Sequence, residues 1–225
     1  MGVRIYPIRM GYDYCYLLQD QGVIMVDGGT PRRMKAFMKG MGKLPIQPEQ
    51  IKLMVLTHGH WDHIGCAKDI KEITGAKIAL HQNEKEWLEK SMKPMPPGVN
   101  RWGRILEKAI AMILPLVHIP ATTVDMVIDD DGFPLSEYGI PGRVIHTPGH
   151  SSGSVSVLLD TGDAFVGDMA MNMLPMTLRP ELPVFAEDFE RLKKSWRVLL
   201  DQGAKTVYPA HGKPFSIDVM KEKLS

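Results

Sequence analysis

Residues 51–56 read Ile-Lys-Leu-Met-Val-Leu and run directly into Thr-His-Gly-His-Trp-Asp-His-Ile-Gly. A strand that is apolar on both faces has to be covered on both faces, as happens in a parallel sheet with further layers above and below. The same run delivers His58, His60, Asp62 and His63 within six positions of its end. Imidazole nitrogens and carboxylate oxygens are what zinc and similar divalent metals select. Side chains alternate along extended backbone, so His58 and His60 project to one side and can grip one ion. Asp62 and His63 come one step later, where the chain turns towards a helix, and can face a second ion. Gly59 between the first two histidines removes a side chain where backbone passes close.

The rest of the chain fits that layered demand. "VRIYPI", "YCYLLQ" and "GVIMVD" are short β-rich runs parted by turn residues. "PRRMKAFMKGMG" predicts a helix with Pro31 in its first turn. "IGCAKDIKEITG" predicts one helix closed by Gly75, followed by the strand "AKIALH" and the helix "QNEKEWLEKSM". Strands resume at "TVDMVI", "RVIHTPG", "SVSVLLD" and "DAFVGD", then a helix at "AEDFERLKKSWRVLLDQG", the strand "KTVYPAHG" and a short terminal helix. The order β-rich, α/β, β-rich, α/β predicts two similar halves with facing sheets and helices outside. All of 1–225 is expected to form one domain. Residues 91–122 depart from the pattern, with five prolines around a Met- and Ile-rich helical segment. They read as an insertion, either a lid beside the site or a contact between two copies of the chain.

Charge and composition remove several function classes. A net charge of +1 with no basic run gives no footprint for nucleic acid. The apolar stretch 105–119 contains Glu107, Lys108 and Pro115 and is too short to span a bilayer. Two cysteines, Cys15 and Cys66, make no disulfide framework, and residues 1–18 lack a signal-peptide core. A cytoplasmic, reduced protein is the expectation.

Three more ligand types close apolar strands beside glycine: His150 after "RVIHTPG", Asp168 after "AFVG" and His211 after "TVYPA". The C-terminal edge of strands is where α/β sites form. Taken in order, "DGG", "THGHWDHIG", "TPGH", "VGD" and "PAHG" resemble the motifs of the metallo-β-lactamase superfamily, over nearly the whole chain. That resemblance implies a four-layer αβ/βα sandwich. It implies that His58, His60 and His150 hold one metal ion, that Asp62, His63 and His211 hold a second, and that Asp168 bridges the two. Asp27 of "DGG" matches a supporting residue of the family rather than a ligand.

Seven N/O ligands for two ions leave open coordination positions, which argues for chemistry over a closed structural site. The resemblance implies a binuclear metal-dependent hydrolase of the glyoxalase II/lactonase-like branch. A metal-bridging hydroxide would attack an ester-like carbonyl, with Asp62 as ligand and orienting group. Zinc is the first expectation, with Mn or Fe suited by the same ligands. Departures narrow the substrate. Asp168 resembles a bridging aspartate that the family's true β-lactamases lack, and Met169, Ala170 and Met171 stand where quorum-quenching lactonases carry a tyrosine. The basic glutathione-binding helices of glyoxalase II-like enzymes are not expected after His211. A thioester, lactone or carboxylic ester with an apolar part remains. The alternatives are an iron-dependent persulfide dioxygenase and a phosphodiesterase of the same superfamily. Cys66 reads as a small packed residue, His81 and His146 as strand residues, and His118 as a residue able to reach substrate from the insertion.

Overall fold

The computed structural model describes residues 2–224 and consists of two six-stranded sheets packed face to face. The first sheet contains β1 (Arg4–Arg9), β2 (Tyr14–Gln19), β3 (Val23–Val26), β4 (Ile51–Val55), β5 (Lys77–His81) and β6 (Met126–Ile128), side by side in that order. Its first three strands are antiparallel and β3 to β6 are parallel. The second sheet contains β7 (Phe133–Pro134), β8 (Gly142–His146), β9 (Val155–Leu159), β10 (Asp163–Met171), β11 (Thr206–His211) and β12 (Phe215–Ser216). Its order is β12-β11-β10-β9-β8-β7, with only β10 and β11 parallel.

Side-chain alternation sorts the core into three layers. Leu18, Ile24, Leu53 and Val55 point from the first sheet into the space between the sheets, where they meet Val144, Val157 and Phe165 of the second. Their neighbours Leu17, Met25 and Met54 point the other way and are covered by α1 (Met34–Met41) and α3 (Ala67–Thr74) through Phe37 and Ile70. The outer face of the second sheet is covered by α6 (Phe189–Asp201) and α7 (Asp218–Leu224), with Trp196 and Leu199 against Val166 and Val207. This is the four-layer αβ/βα sandwich expected from the sequence. The predicted double-sided burial of β4 holds: four of its five residues are buried, Lys52 being the exception.

Local detail differs from the periodicity in places. The helix expected over residues 64–75 is two: α2 (Trp61–Ile64) and α3, parted at Gly65 and Cys66. A Cβ on Gly65 would lie 2.3 Å from the Pro31 nitrogen, so the backbones touch there and the helix axis breaks. For the same reason Pro31 stays outside α1, and Arg32 turns the chain at φ +63° before Met34 begins the helix. Gly75 closes α3 in the left-handed conformation, as its position suggested. The helix read over residues 82–92 is the short α4 (Lys85–Glu89). In the 91–122 segment, Asn100 caps α5 (Arg101–Ile113) by accepting from the Gly103 amide.

Candidate metal centre

The seven residues come together where the two sheets meet. His58 and His60 follow β4, and Asp62 and His63 occupy the first turn of α2. His150 lies in the loop after β8 and His211 ends β11. Asp168 is not at a strand end as its motif suggested. β10 continues to Met171, and register shifts at Gly167 push Asp168 out of the ladder. Gly167 sits at φ +52°, and a Cβ there would lie 2.4 Å from Thr57 Oγ1. That close approach lets β10 present Asp168 against the loop after β4.

Two groups form. His58, His60 and His150 offer ligand atoms within 4.8 Å of one another, as do Asp62, His63 and His211. Asp168 lies between them: Oδ1 is 3.3 Å from both His63 Nε2 and His211 Nε2, and Oδ2 is 3.8 Å from His150 Nε2. All but Asp62 are buried, and Asp62 is largely covered.

Hydrogen bonds at the far side of each ring set the tautomers. His63 Nδ1 donates to Asp27 Oδ2 at 3.0 Å, His150 Nδ1 to the Phe185 carbonyl at 2.9 Å and His211 Nδ1 to the Tyr12 carbonyl at 3.0 Å. Each bond holds the proton on Nδ1 and presents Nε2 inward, the arrangement that supports metal-bound imidazoles elsewhere. His58 Nε2, His60 Nε2, His63 Nε2 and Asp168 Oδ1 are buried with no hydrogen-bond partner. Polar atoms are rarely left so, because each costs about 1–3 kcal/mol when unsatisfied. Ring nitrogens and a carboxylate oxygen gathered in one buried place without partners fit a cation.

The electrostatics agree. Burial holds His58 and His60 well below the ordinary histidine range, His60 at about 3 with His150 adding to the effect. Burial also lowers His150. Burial opposes the charge of His63 and His211 too, but carboxylates overcome it. Asp27 and Asp168 raise His63, and Asp168 and Asp62 raise His211 to about 9. Burial would raise Asp168, yet His211 and His63 hold it well below the usual carboxylate range.

The supporting residues were less visible in the sequence. Asp27 was singled out as support, and it accepts from the Thr57 amide (2.8 Å) and hydroxyl as well as from His63. Glu84 was not. It is fully buried and accepts from the amides of Gly59 (2.5 Å) and Gly153 (2.8 Å), joining the loop of His58 and His60 to the loop of His150. Burial raises its carboxyl to about 7 against the pull of Ser151 and the two amides. Nothing in a stretch rich in Lys and Glu marks it. Trp87 stacks on His60 and Tyr12 on His211. Cys66 is a packed residue as expected, its Sγ 3.1 Å from the Thr30 carbonyl. His81 and His146 stack on each other at the ends of β5 and β8, with Asp130 alongside. His146 Nε2 donates to the Ser152 carbonyl, and His81 Nδ1 accepts from the Asn83 amide. His118 is exposed and borders a separate shallow hollow with Thr30 and Trp61.

The cluster floors a pocket of about 330 Å³. His60, Asp62, His150, Asp168 and His211 form one side, and no lysine or arginine lines it. The opposite wall comes from the 91–122 segment through Met95, Leu106 and Ile110, and from Met171, Met176 and Phe185.

Fold and site together define a class: an αβ/βα sandwich with a histidine and aspartate cluster at the junction of its sheets. A family model described as the metallo-β-lactamase superfamily matches residues 9–211, and the chain belongs to that superfamily. The superfamily is metal-dependent and its members are mostly hydrolases. A probable metallo-hydrolase of Bacillus subtilis, YqgX, is 30% identical over 69% of this chain and 64% of its own length, so the match spans somewhat less than two thirds of that relative. The hydroxyacylglutathione hydrolase GloC of Haemophilus influenzae is 26% identical over 75% of this chain and 72% of its own. Among solved structures, an archaeal superfamily protein from Sulfolobus tokodaii superposes with a TM-score of 0.68 at 23% identity, covering 99% of this chain and 84% of that one.

Proposed function

We propose that this chain is a binuclear metal-dependent hydrolase acting on an ester-like carbonyl (a thioester, lactone or carboxylic ester) in a substrate with an apolar part. His58, His60 and His150 would hold one divalent ion and Asp62, His63 and His211 the other, with Asp168 shared; zinc suits the set best and Mn or Fe also fit. Such ions supply Lewis acidity and bring the pKa of water near neutrality. The observation that carries the reading is the pairing of this buried His/Asp set with a pocket that has apolar walls and no basic side chain.

The protein's own groups then have defined parts. Met95, Leu106, Ile110 and Phe185 would hold the apolar part of the substrate and keep bulk water from the reacting carbonyl. Asp62 has the geometry to orient a nucleophilic water and take its proton: one oxygen lies 3.3 Å from His211 Nε2 and the side chain borders the pocket. A phosphodiester would bring negative charge that no basic side chain of the pocket shares with the ions. The similarity to the Haemophilus relative, named a hydroxyacylglutathione hydrolase, supports the carbonyl side of this choice.

Two measurements test it. Elemental analysis of protein purified without chelator should give nearer two divalent ions per chain than one. A panel of thioesters, lactones, p-nitrophenyl esters and bis-p-nitrophenyl phosphate, with Zn or Mn added, should give its largest kcat/KM on an ester-like carbonyl. A wide margin for the phosphodiester overturns the substrate class. One iron per chain with oxygen-dependent oxidation of glutathione persulfide overturns the hydrolase reading and installs the dioxygenase.

A further inference from the structure

The outward face of α5 is apolar where a surface helix is ordinarily polar. Gly103 is the one residue of this helix that is buried: a Cβ there would lie 2.2 Å from the Val184 carbonyl oxygen, so the helix is pressed on that side against the backbone. Leu106 and Ile110 face the pocket. Next to them on the helix surface Trp102, Ile105, Met112 and Ile113 are exposed, Met112 at 76%. At 3.6 residues per turn these four fall within about 100° of one another, so they form one stripe. Leu116, at 81% exposure, extends it past the end of α5. The Trp102 indole donates to the Pro175 carbonyl, tying the stripe to a neighbouring stretch that exposes Leu174 and Leu178. Single exposed apolar residues are ordinary; a contiguous set from two segments marks an interaction surface.

The flank of the stripe is basic. Arg101, Arg104 and Lys108 occupy the adjoining arc, all exposed, and among the described residues none of their side chains has an ion-pair or hydrogen-bond partner. The helix's one acid, Glu107, is turned to the Gly98 amide, from which it accepts. A Trp- and Leu-bearing apolar face bordered by unpaired cations is the pattern of a helix that lies in a membrane interface. No helix among the described residues is long and apolar enough to cross a membrane.

We infer that α5, with Leu116 and the 174–178 stretch, docks this protein on an anionic lipid bilayer. Charge selects this occupant over a second copy. In an antiparallel two-fold contact through the stripe, each basic flank would lie against its own symmetry mate, and like charges would meet. Anionic headgroups pair the same three cations. The stripe also continues into the pocket: Ile113 belongs to both, so the pocket mouth would open at the boundary between headgroups and acyl chains. The docking stands on this surface alone and does not depend on the hydrolase reading.

The test is co-sedimentation of the full chain with vesicles of phosphatidylcholine alone and with one third phosphatidylglycerol. Binding to the anionic vesicles should be at least tenfold tighter and should weaken with added salt. A Met112→Glu/Leu116→Glu double variant, altering two side chains that make no core contact, should abolish it while melting like the parent chain. An Arg101→Gln/Arg104→Gln/Lys108→Gln variant should lose about a hundredfold on anionic vesicles, at roughly fivefold per basic residue. Vesicle binding no stronger than that of the double variant overturns the inference. So does a micromolar dimer, seen by sedimentation equilibrium, that Met112→Glu/Leu116→Glu dissociates, since the face then belongs to a second copy.

Discussion

Asp27 and His63 are joined by a 3.0 Å hydrogen bond in which the ring Nδ1 donates to the carboxylate. Asp27 follows β3 at φ +63°, a conformation that a non-glycine residue adopts at a cost, and its carboxylate also holds Thr57. One buried side chain therefore fixes the end of β4 and the orientation of a ring in the cluster. Asp27→Asn should keep the fold, because amide and carboxylate are isosteric. It should weaken metal affinity by roughly 10–100-fold, because the His63 tautomer is no longer imposed. Competition with a chelator of known affinity measures this, and unchanged affinity would remove Asp27 from any part in the centre.

Asp168→Ala should cost activity far more than stability. Its carboxylate faces both groups of ligands, and its loss should leave one position weak or empty. Metal content near one ion per chain, with the folded state retained by circular dichroism, is the expected result. Full metal content and parental turnover would show that Asp168 holds nothing.

Metal binding should be coupled to protons with a known sign. In the metal-free chain His211 is held at about 9 by Asp168 and Asp62 against its burial, and His63 is raised as well. A divalent ion takes an unprotonated imidazole, so binding below about pH 9 expels protons and affinity should rise with pH. The metal-free chain should behave the opposite way. A raised folded-state pKa lends stability that is complete below the ordinary histidine value of about 6.5 and is lost as pH rises towards 9. Titration calorimetry in buffers of different ionisation enthalpy, beside melting curves from pH 6.5 to 9, checks both slopes. Affinity flat across that window would contradict them.

Glu84→Ala should be severely destabilising for a substitution outside the ligand set. It leaves the amides of Gly59 and Gly153 buried without an acceptor, at about 1–3 kcal/mol each. Glu84→Gln keeps one acceptor oxygen and should recover part of the loss. In denaturant unfolding the Ala variant should have the lower midpoint of the two. If Ala and Gln are equally mild, the two loops are not held by this side chain.

What the sequence disclosed follows from what each signal depends on. β4 could be read because burial on both faces forces consecutive apolar residues. The seven His and Asp residues could be read because their side-chain chemistry is rare and their motifs local. The position of Asp168 within β10 depends on a bulge and on contact with Thr57, which are properties of pairing between distant strands. The break between α2 and α3 depends on Pro31 lying against Gly65, again a contact between separated segments. Glu84 left no local trace, since its neighbours Lys85, Glu86 and Glu89 suggest a solvated helix face. Short β7 and β12 are set by their partners β8 and β11 rather than by their own two residues.

The division of the cluster between the sheets bears on how the molecule is made. His58, His60, Asp62 and His63 are translated early, whereas His150, Asp168 and His211 arrive much later and belong to the other sheet. A nascent first half thus carries only part of each group, and neither is whole until the second sheet has closed over it. An ion captured with full affinity would then report that the halves have found each other, and would act as a latch against their parting again.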